Sequence, residues 1–309
     1  MICGLKKIVS VPHLLLVLIF LGFLLPSRYA LQMRIGLKNP LPFAIVLVVS
    51  EILYALQLFS AKNQRTATDI FTVVYGFLLA WEYVVSRLNL LPYVFVPAPE
   101  NVFTVFKDDW RTILAGFASS MQLLAVGIIA ALVCATVLGT VVGYNRRLSK
   151  VVYPIAKAIS TVPALIYTPY IVLIMPTFKL ASLTVIFLSI FWGAFMGAIN
   201  NTSFVEKRII NSARVLTLPT KTILFKIIIP FNMPRIVDAL PIHLATALMT
   251  LTVAEMLGAD SGMGYYVRTS LNYASYTKAI AGIIFIGVVV TILNSLIQLF
   301  KKRFIKWSY

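Results

Sequence analysis

The sequence predicts an all-α polytopic membrane protein of about eight transmembrane helices, and three observations predict it. Composition is the first: 60% of the 309 residues are apolar and only 12% are charged, with a mean hydropathy of +0.92. Soluble globular domains run near ~45–50% apolar and ~25% charged. The second is the length of the apolar runs, near 10–26, 41–60, 69–92, 116–143, 151–175, 180–200, 237–257 and 277–299. Each is close to the roughly 20 residues a helix needs to cross the hydrocarbon core. The third is the clustering of basic residues between runs, as expected of cytoplasmic loops. Little chain is left for an autonomous catalytic domain. The net charge of +17 therefore marks topology and membrane lipid, not nucleic acid.

The first run follows Lys6 and Lys7 and ends at Ser27-Arg28-Tyr29-Ala30. An arginine stands there where a signal-peptide cleavage site needs a small residue, so a retained span is expected. Even parity then places both termini on one side. Most of the 27 Lys and Arg fall in segments that are cytoplasmic if the termini are: Lys6 and Lys7, Lys62 and Arg65, Arg146, Arg147 and Lys150, the segment from Lys207 to Arg235, and the tail from Lys301. Arg28, Arg34 and Lys38 form a basic outer loop that runs against this bias. Val102 to Ile113 carries Val102, Val105, Phe106, Trp110 and Ile113 at helical spacing with Lys107, Asp108 and Asp109 between, an amphipathic helix for the outer interface. Cys3 and Cys134 offer neither a structural disulfide nor a zinc spacing. His243 has no metal-ligand partner at suitable spacing, so no bound metal is expected.

One segment, residues 203–235, is basic, mixed and too polar to span. A connection that long in a compact bundle usually has a task. Ser203 and Glu206 have capping-box spacing. Ile209, Ala213 and Leu216 then recur on one helical face, with Lys207 and Arg214 on another. Pro219 should break this helix, and a second, Lys221 to Ile229, should run into Pro230 and Pro234. Helix, break, helix suits a knob for a partner's groove; it equally suits an amphipathic element lying on anionic lipid.

Asn211-Ser212-Ala213-Arg214-Val215-Leu216-Thr217, followed after nine residues by Ile227-Ile-Ile229-Pro230, resembles the EAA loop of binding-protein-dependent ABC importer permeases, whose pattern is E-A-A, three residues, G, nine residues, I-x-L-P. Ala213, Ile227 and Pro230 match; Asn211, Ser212 and Thr217 replace the glutamate, an alanine and the glycine. The likeness extends to Val96-Pro-Ala-Pro99, to Gly139-Thr-Val-Val-Gly143 with Arg146, to Pro154 and Pro163, to Val253-Ala-Glu255-Met-Leu-Gly258, to Ser261-Gly262-Met-Gly264-Tyr265, and to the tail from Lys302 to Trp307. These pieces are similar to the nitrate, sulfonate and taurine branch of the family. The resemblance covers residues 68–309 and implies a type I ABC importer permease core, with 1–67 as two additional N-terminal helices.

The resemblance implies a half-pore in the cell inner membrane with both termini cytoplasmic. It would pair with a second permease subunit as a homodimer, dock ABC ATPase subunits through loop 203–235, and receive a small polar, often anionic, solute from an external substrate-binding protein. The chain carries no phosphate-cradling G-x-x-x-x-G-K-[ST], so ATP and Mg would be bound by the partner ATPase and no cofactor by this chain. Candidate substrate-pathway residues are Ser160, Thr161, Pro163, Thr168, His243, Glu255, Gly262 and Gly264. Glu255 either lines the path or is a buried hydrogen-bonded carboxyl, and the hydroxyls near Pro163 either face the path or satisfy backbone. Pro241 stands where the family often has arginine. The alternative is an ion-coupled secondary transporter working through Glu82 and Glu255. An intramembrane enzyme has no residue cluster at catalytic spacing to support it.

Overall fold

The computed structural model of the chain describes residues 11–25, 39–60, 64–92 and 94–304. Its regular elements there are all helical. In order they are α1 (Val11–Leu24), α2 (Leu41–Ser60), α3 (Gln64–Arg87), α4 (Pro99–Asp108), α5 (Trp110–Tyr144), α6 (Arg146–Ser160), α7 (Ala164–Ile174), α8 (Phe178–Ser203), α9 (Lys207–Val215), α10 (Thr220–Gly258), α11 (Met263–Asn272) and α12 (Tyr276–Phe304). Cys3, Lys6, Lys7, the basic loop of Arg28, Arg34 and Lys38, Lys62 and Trp307 lie outside the described residues.

Six helices, α2, α3, α5, α8, α10 and α12, are long and apolar enough to cross a membrane. The expected straight span at 151–175 is instead a bent pair, α6 and α7, whose axes differ by 85°. Pro163 caps the start of α7 and biases Val162 away from helical dihedrals, which accounts for the break. Counted as one span, the pair makes seven. The first expected span coincides with α1, whose 14 residues fall short of the roughly 20 that a crossing needs. The count of eight is therefore not established.

The chain divides into two compact units. One comprises residues 1–113 and 269–283. Its core joins Ile19, Phe43, Leu47, Tyr75 and Phe103, with the rings of Phe43 and Phe103 stacked at 5.0 Å. So α1 and α2 share a unit with α3 and α4. Polar bonds tie α1 down as well: the Tyr83 hydroxyl donates to the Leu18 carbonyl at 3.1 Å and Arg87 to that of Leu25 at 3.0 Å. His13 pairs with Glu51 at 2.9 Å. The amphipathic helix expected at Val102–Ile113 is α4 followed by a turn at Asp109, and α5 begins at Trp110. All seven residues from Pro99 to Val105 are buried, so the first two turns of α4 are enclosed on every side and are not laid with one face on an interface as expected.

The other unit comprises residues 114–268 and 284–309. Its core includes Leu124, Ile186, Leu248, Leu251, Met263 and Val289. Gly139 and Gly143 bring α5 against α8: a Cβ on Gly139 would lie 2.6 Å from the Ala198 Cβ, and one on Gly143 2.8 Å from Thr202. This is the close approach that small-xxx-small spacing permits. Gly193 and Gly197 have the same spacing and no such contact; at Gly197 a Cβ would meet nothing within 4 Å.

Candidate functional site

The segment from 203 to 235 folds as a helical hairpin, by means other than the expected ones. Ser203 does not open a capping box. It is the last residue of α8, and its hydroxyl bonds back to the Ile199 carbonyl at 3.3 Å. Glu206 is the residue before α9 and makes no capping bond through its side chain.

α9 ends in a Schellman motif. The Leu218 N–H donates to the Ala213 carbonyl at 3.1 Å and the Thr217 N–H to that of Arg214 at 2.9 Å, which closes the orphan carbonyls of the last turn. The motif needs a left-handed residue, and Thr217 supplies it at φ +54°. The position given to glycine in the family pattern thus keeps its conformation with a β-branched residue in it, at a steric cost glycine would not carry. The Thr217 hydroxyl bonds the adjacent Leu216 carbonyl at 2.8 Å and caps nothing in α10, whose start falls to Pro219.

Ala213 faces inward. It is 4% exposed and packs with Val205, Ile223, Leu224 and Ile228. The outer surface of the hairpin is Asn211, Ser212, Val215 and Leu216, the last two 82% and 69% exposed. Arg214 stacks on the Tyr144 ring, 5.7 Å from its centroid, and donates to its hydroxyl at 3.2 Å, holding the hairpin to the end of α5. The second helix does not stop at Pro230 or Pro234. Ile227 is half-buried, Pro230 is exposed, and α10 runs through both prolines and Pro241 to Gly258. A π-helical stretch, Ile223–Ile228, precedes Pro230. Its wider turn gives room where the proline ring would otherwise press on the Lys226 carbonyl.

At the far end of α10, Glu255 is 1% exposed and fully engaged. One carboxylate oxygen accepts from the Ser120 hydroxyl on α5, the other from the Gly264 N–H at 2.7 Å, and Ser120 accepts in turn from the Met263 N–H at 2.9 Å. Gly262, at φ +118°, has no room for a side chain: its Cβ would fall 2.4 Å from the Glu255 carboxyl carbon. A Cβ on Gly264 would fall 2.3 Å from the Thr252 carbonyl oxygen. Arg268 closes the last turn by donating to the Ala259 carbonyl at 2.7 Å and to that of Met256 at 3.3 Å. Of the two readings of Glu255, the geometry is that of the buried, hydrogen-bonded carboxyl. It clamps the glycine loop that joins α10 to α11.

The hydroxyls near Pro163 serve their own helices. Ser160, Thr161 and Thr168 bond the carbonyls of Lys157, Ala158 and Ala164 at 2.9, 2.7 and 2.7 Å. His243 lies apart from Glu255, beside a groove lined also by Arg235. Two buried groups, Glu100 and Ser86, escaped the sequence reading. Glu100 joins Glu82 and Ser86 around Arg87: the Arg87 Nε donates to Glu82 at 2.8 Å, its Nη2 to Glu100 at 3.1 Å, and Ser86 donates to Glu100 at 2.8 Å. Residues five apart do not face each other on an α-helix; the π-helical end of α3, Glu82–Arg87, brings this pair together.

The helices of membrane length, the bent pair and the basic hairpin suit a membrane transport component, and comparison with known proteins gives the class. Residues 127–306 match the family described as binding-protein-dependent transport system inner membrane component. The match takes more than half the chain, and the chain belongs to that family. It is 26% identical to a putative aliphatic sulfonates transport permease protein of Bacillus subtilis, over 74% of this chain and 83% of the relative. It is 27% identical to a nitrate import permease protein of Leptolyngbya laminosa, over 60% and 67%. With a taurine transport system permease protein of Escherichia coli the identity is 25%, over 74% and 86%. The chain is thus a multi-pass transport subunit of an ABC importer and not its ATPase, and such a component works with an ATPase and a substrate-binding protein. The secondary-transporter alternative falls away.

Proposed function

We propose that the chain forms half of the translocation path for a small polar, often anionic, solute, pairs with a second copy of itself, and couples to ATP hydrolysis through the α9 hairpin. The naming of relatives for sulfonates, nitrate and taurine supports the solute class. ATP and Mg belong to the partner ATPase. Both termini lie in the cytoplasm, on the side of the hairpin, and residues 68–309 form the importer core to which residues 1–67 add two helices. The path candidates His243, Gly262, Gly264 and Glu255 serve it differently: His243 faces a groove, while the other three fix the outer loop.

The observation that carries the coupling role is the exposed apolar tip. Val215 and Leu216 stand 82% and 69% exposed, while Ala213 behind them is packed into the hairpin's own core. A tip of this kind, braced by Arg214 on Tyr144, suits a hydrophobic groove in a partner. Leu216→Asp places a charge in that contact without touching the hairpin core. The expected result is loss of co-purifying ATPase, and of solute-stimulated ATP hydrolysis, at unchanged thermal stability. Wild-type co-purification would instead favour a hairpin that rests on anionic lipid.

A further inference from the structure

Between α5, α8 and α10 lies a groove of about 190 Å³. It exists because α8 presents mainly glycine and alanine there: a Cβ on Gly193 would approach only the His243 ring, at 3.9 Å, and one on Gly197 would meet nothing within 4 Å. Its polar lining is Thr136, Asn201, Arg235 and His243. Arg235 and His243 are eight residues apart on α10, about 12 Å along the axis at 1.5 Å per residue, and on one face of it. Among the described residues, none of the four side chains has a hydrogen-bond partner, and Arg235 lies over the Phe204 ring, 4.8 Å from its centroid. The acid nearest Arg235 in sequence, Asp238, is paired with Lys301 at 2.6 Å. No acid lines the groove.

An arginine keeps its charge in any such setting, and the imidazole donates at least one N–H in either protonation state. An asparagine amide and a hydroxyl add two more donors. Arg235 stands exposed where the polar segment 203–235 meets the apolar run of α10, and a cation there without an ion-pair partner among the described residues draws an anion to the groove. The volume, about six waters' share of the liquid, suits a solute of a few heavy atoms.

We infer that this groove is a binding subsite for small oxyanions, which the Arg235 guanidinium attracts and for which Asn201, Thr136 and His243 supply hydrogen-bond donors along its length. As a station on the translocation path it rests on the permease reading above; as an anion site it does not. The phosphate of an anionic lipid has the same chemistry, and the test separates the two sources.

The full chain is placed in phosphatidylcholine nanodiscs, and its thermal unfolding midpoint is followed against sodium nitrate and sodium methanesulfonate, with sodium gluconate and urea as references. The subsite predicts a saturable rise with nitrate or methanesulfonate and none with urea. Arg235→Gln should weaken the apparent affinity at least tenfold. Gly197→Leu fills the groove where a side chain meets no neighbour, so it should abolish the response while keeping the wild-type midpoint in gluconate. No response in the wild type, or an unchanged response in both variants, would overturn the proposal. So would stabilisation by added phosphatidylglycerol in place of the free anions. Co-purification of the cognate ATPase with the wild-type chain tests the permease reading apart. Its absence would remove that reading and leave the anion result standing.

Discussion

Thr217 holds a φ of +54° in a turn whose two hydrogen bonds are well made, so its strain is local and removable. A left-handed conformation costs a β-branched residue about 1–2 kcal/mol. Thr217→Gly should therefore raise the thermal midpoint of the purified chain, and a fall would mean that the hydroxyl contributes more than its bond to the Leu216 carbonyl suggests. Ala213 teaches a related lesson. The pattern of Ile209, Ala213 and Leu216 placed all three on one face, yet Ala213 is buried and Leu216 exposed, because the helix ends at Val215 and Leu216 already belongs to the turn. Ala213→Asp buries an unpaired carboxylate in the hairpin core, which costs several kcal/mol. It should lower the midpoint and lose ATPase association together, whereas Leu216→Asp should lose association alone.

At the scale of elements, two buried acidic sites hold helices to one another. Arg87 sits between Glu82 and Glu100, and its removal leaves two buried carboxylates facing each other without a cation. Arg87→Leu should destabilise the unit of α1 to α4 by about 3–5 kcal/mol, as breaking a buried pair does. The triple change to leucine at Glu82, Arg87 and Glu100 should recover much of that loss, measured as the midpoint of the same preparation. Failure of the triple variant to recover would show that the hydrogen bonds to Ser86 and to the Leu25 carbonyl matter more than the charge balance. Glu255 clamps the loop of Gly262 and Gly264 in the same way. The sequence made the glycines and the carboxyl visible but not their contact, since Ser120 lies 135 residues before Glu255. The π-helical turns at Glu82–Arg87 and Ile223–Ile228 were illegible for a different reason. Periodicity assumes one helical pitch, and these turns depart from it where packing or a proline demands.

For the whole molecule, the apolar runs located the membrane helices because hydrocarbon imposes one length on all of them. They could not show that Pro163 bends one run by 85°. They also could not tell a pair of glycines that packs two helices from a pair that opens a groove, which depends on what stands opposite. The basic loops predict the orientation. In a chain lacking Cys3 and Cys134, Asp260→Cys should label from outside intact cells and Asn145→Cys should not; both positions are exposed, and labelling of the second would invert the topology. The account turns on one claim, that the hairpin of α9 transmits ATP hydrolysis to this membrane bundle. The direct measurement is ATP hydrolysis in proteoliposomes holding the chain with its ATPase, with binding protein and solute added outside. Stimulation that is lost in Leu216→Asp and kept in Thr217→Gly is the predicted result. Full stimulation in Leu216→Asp, with the ATPase still attached, would contradict it.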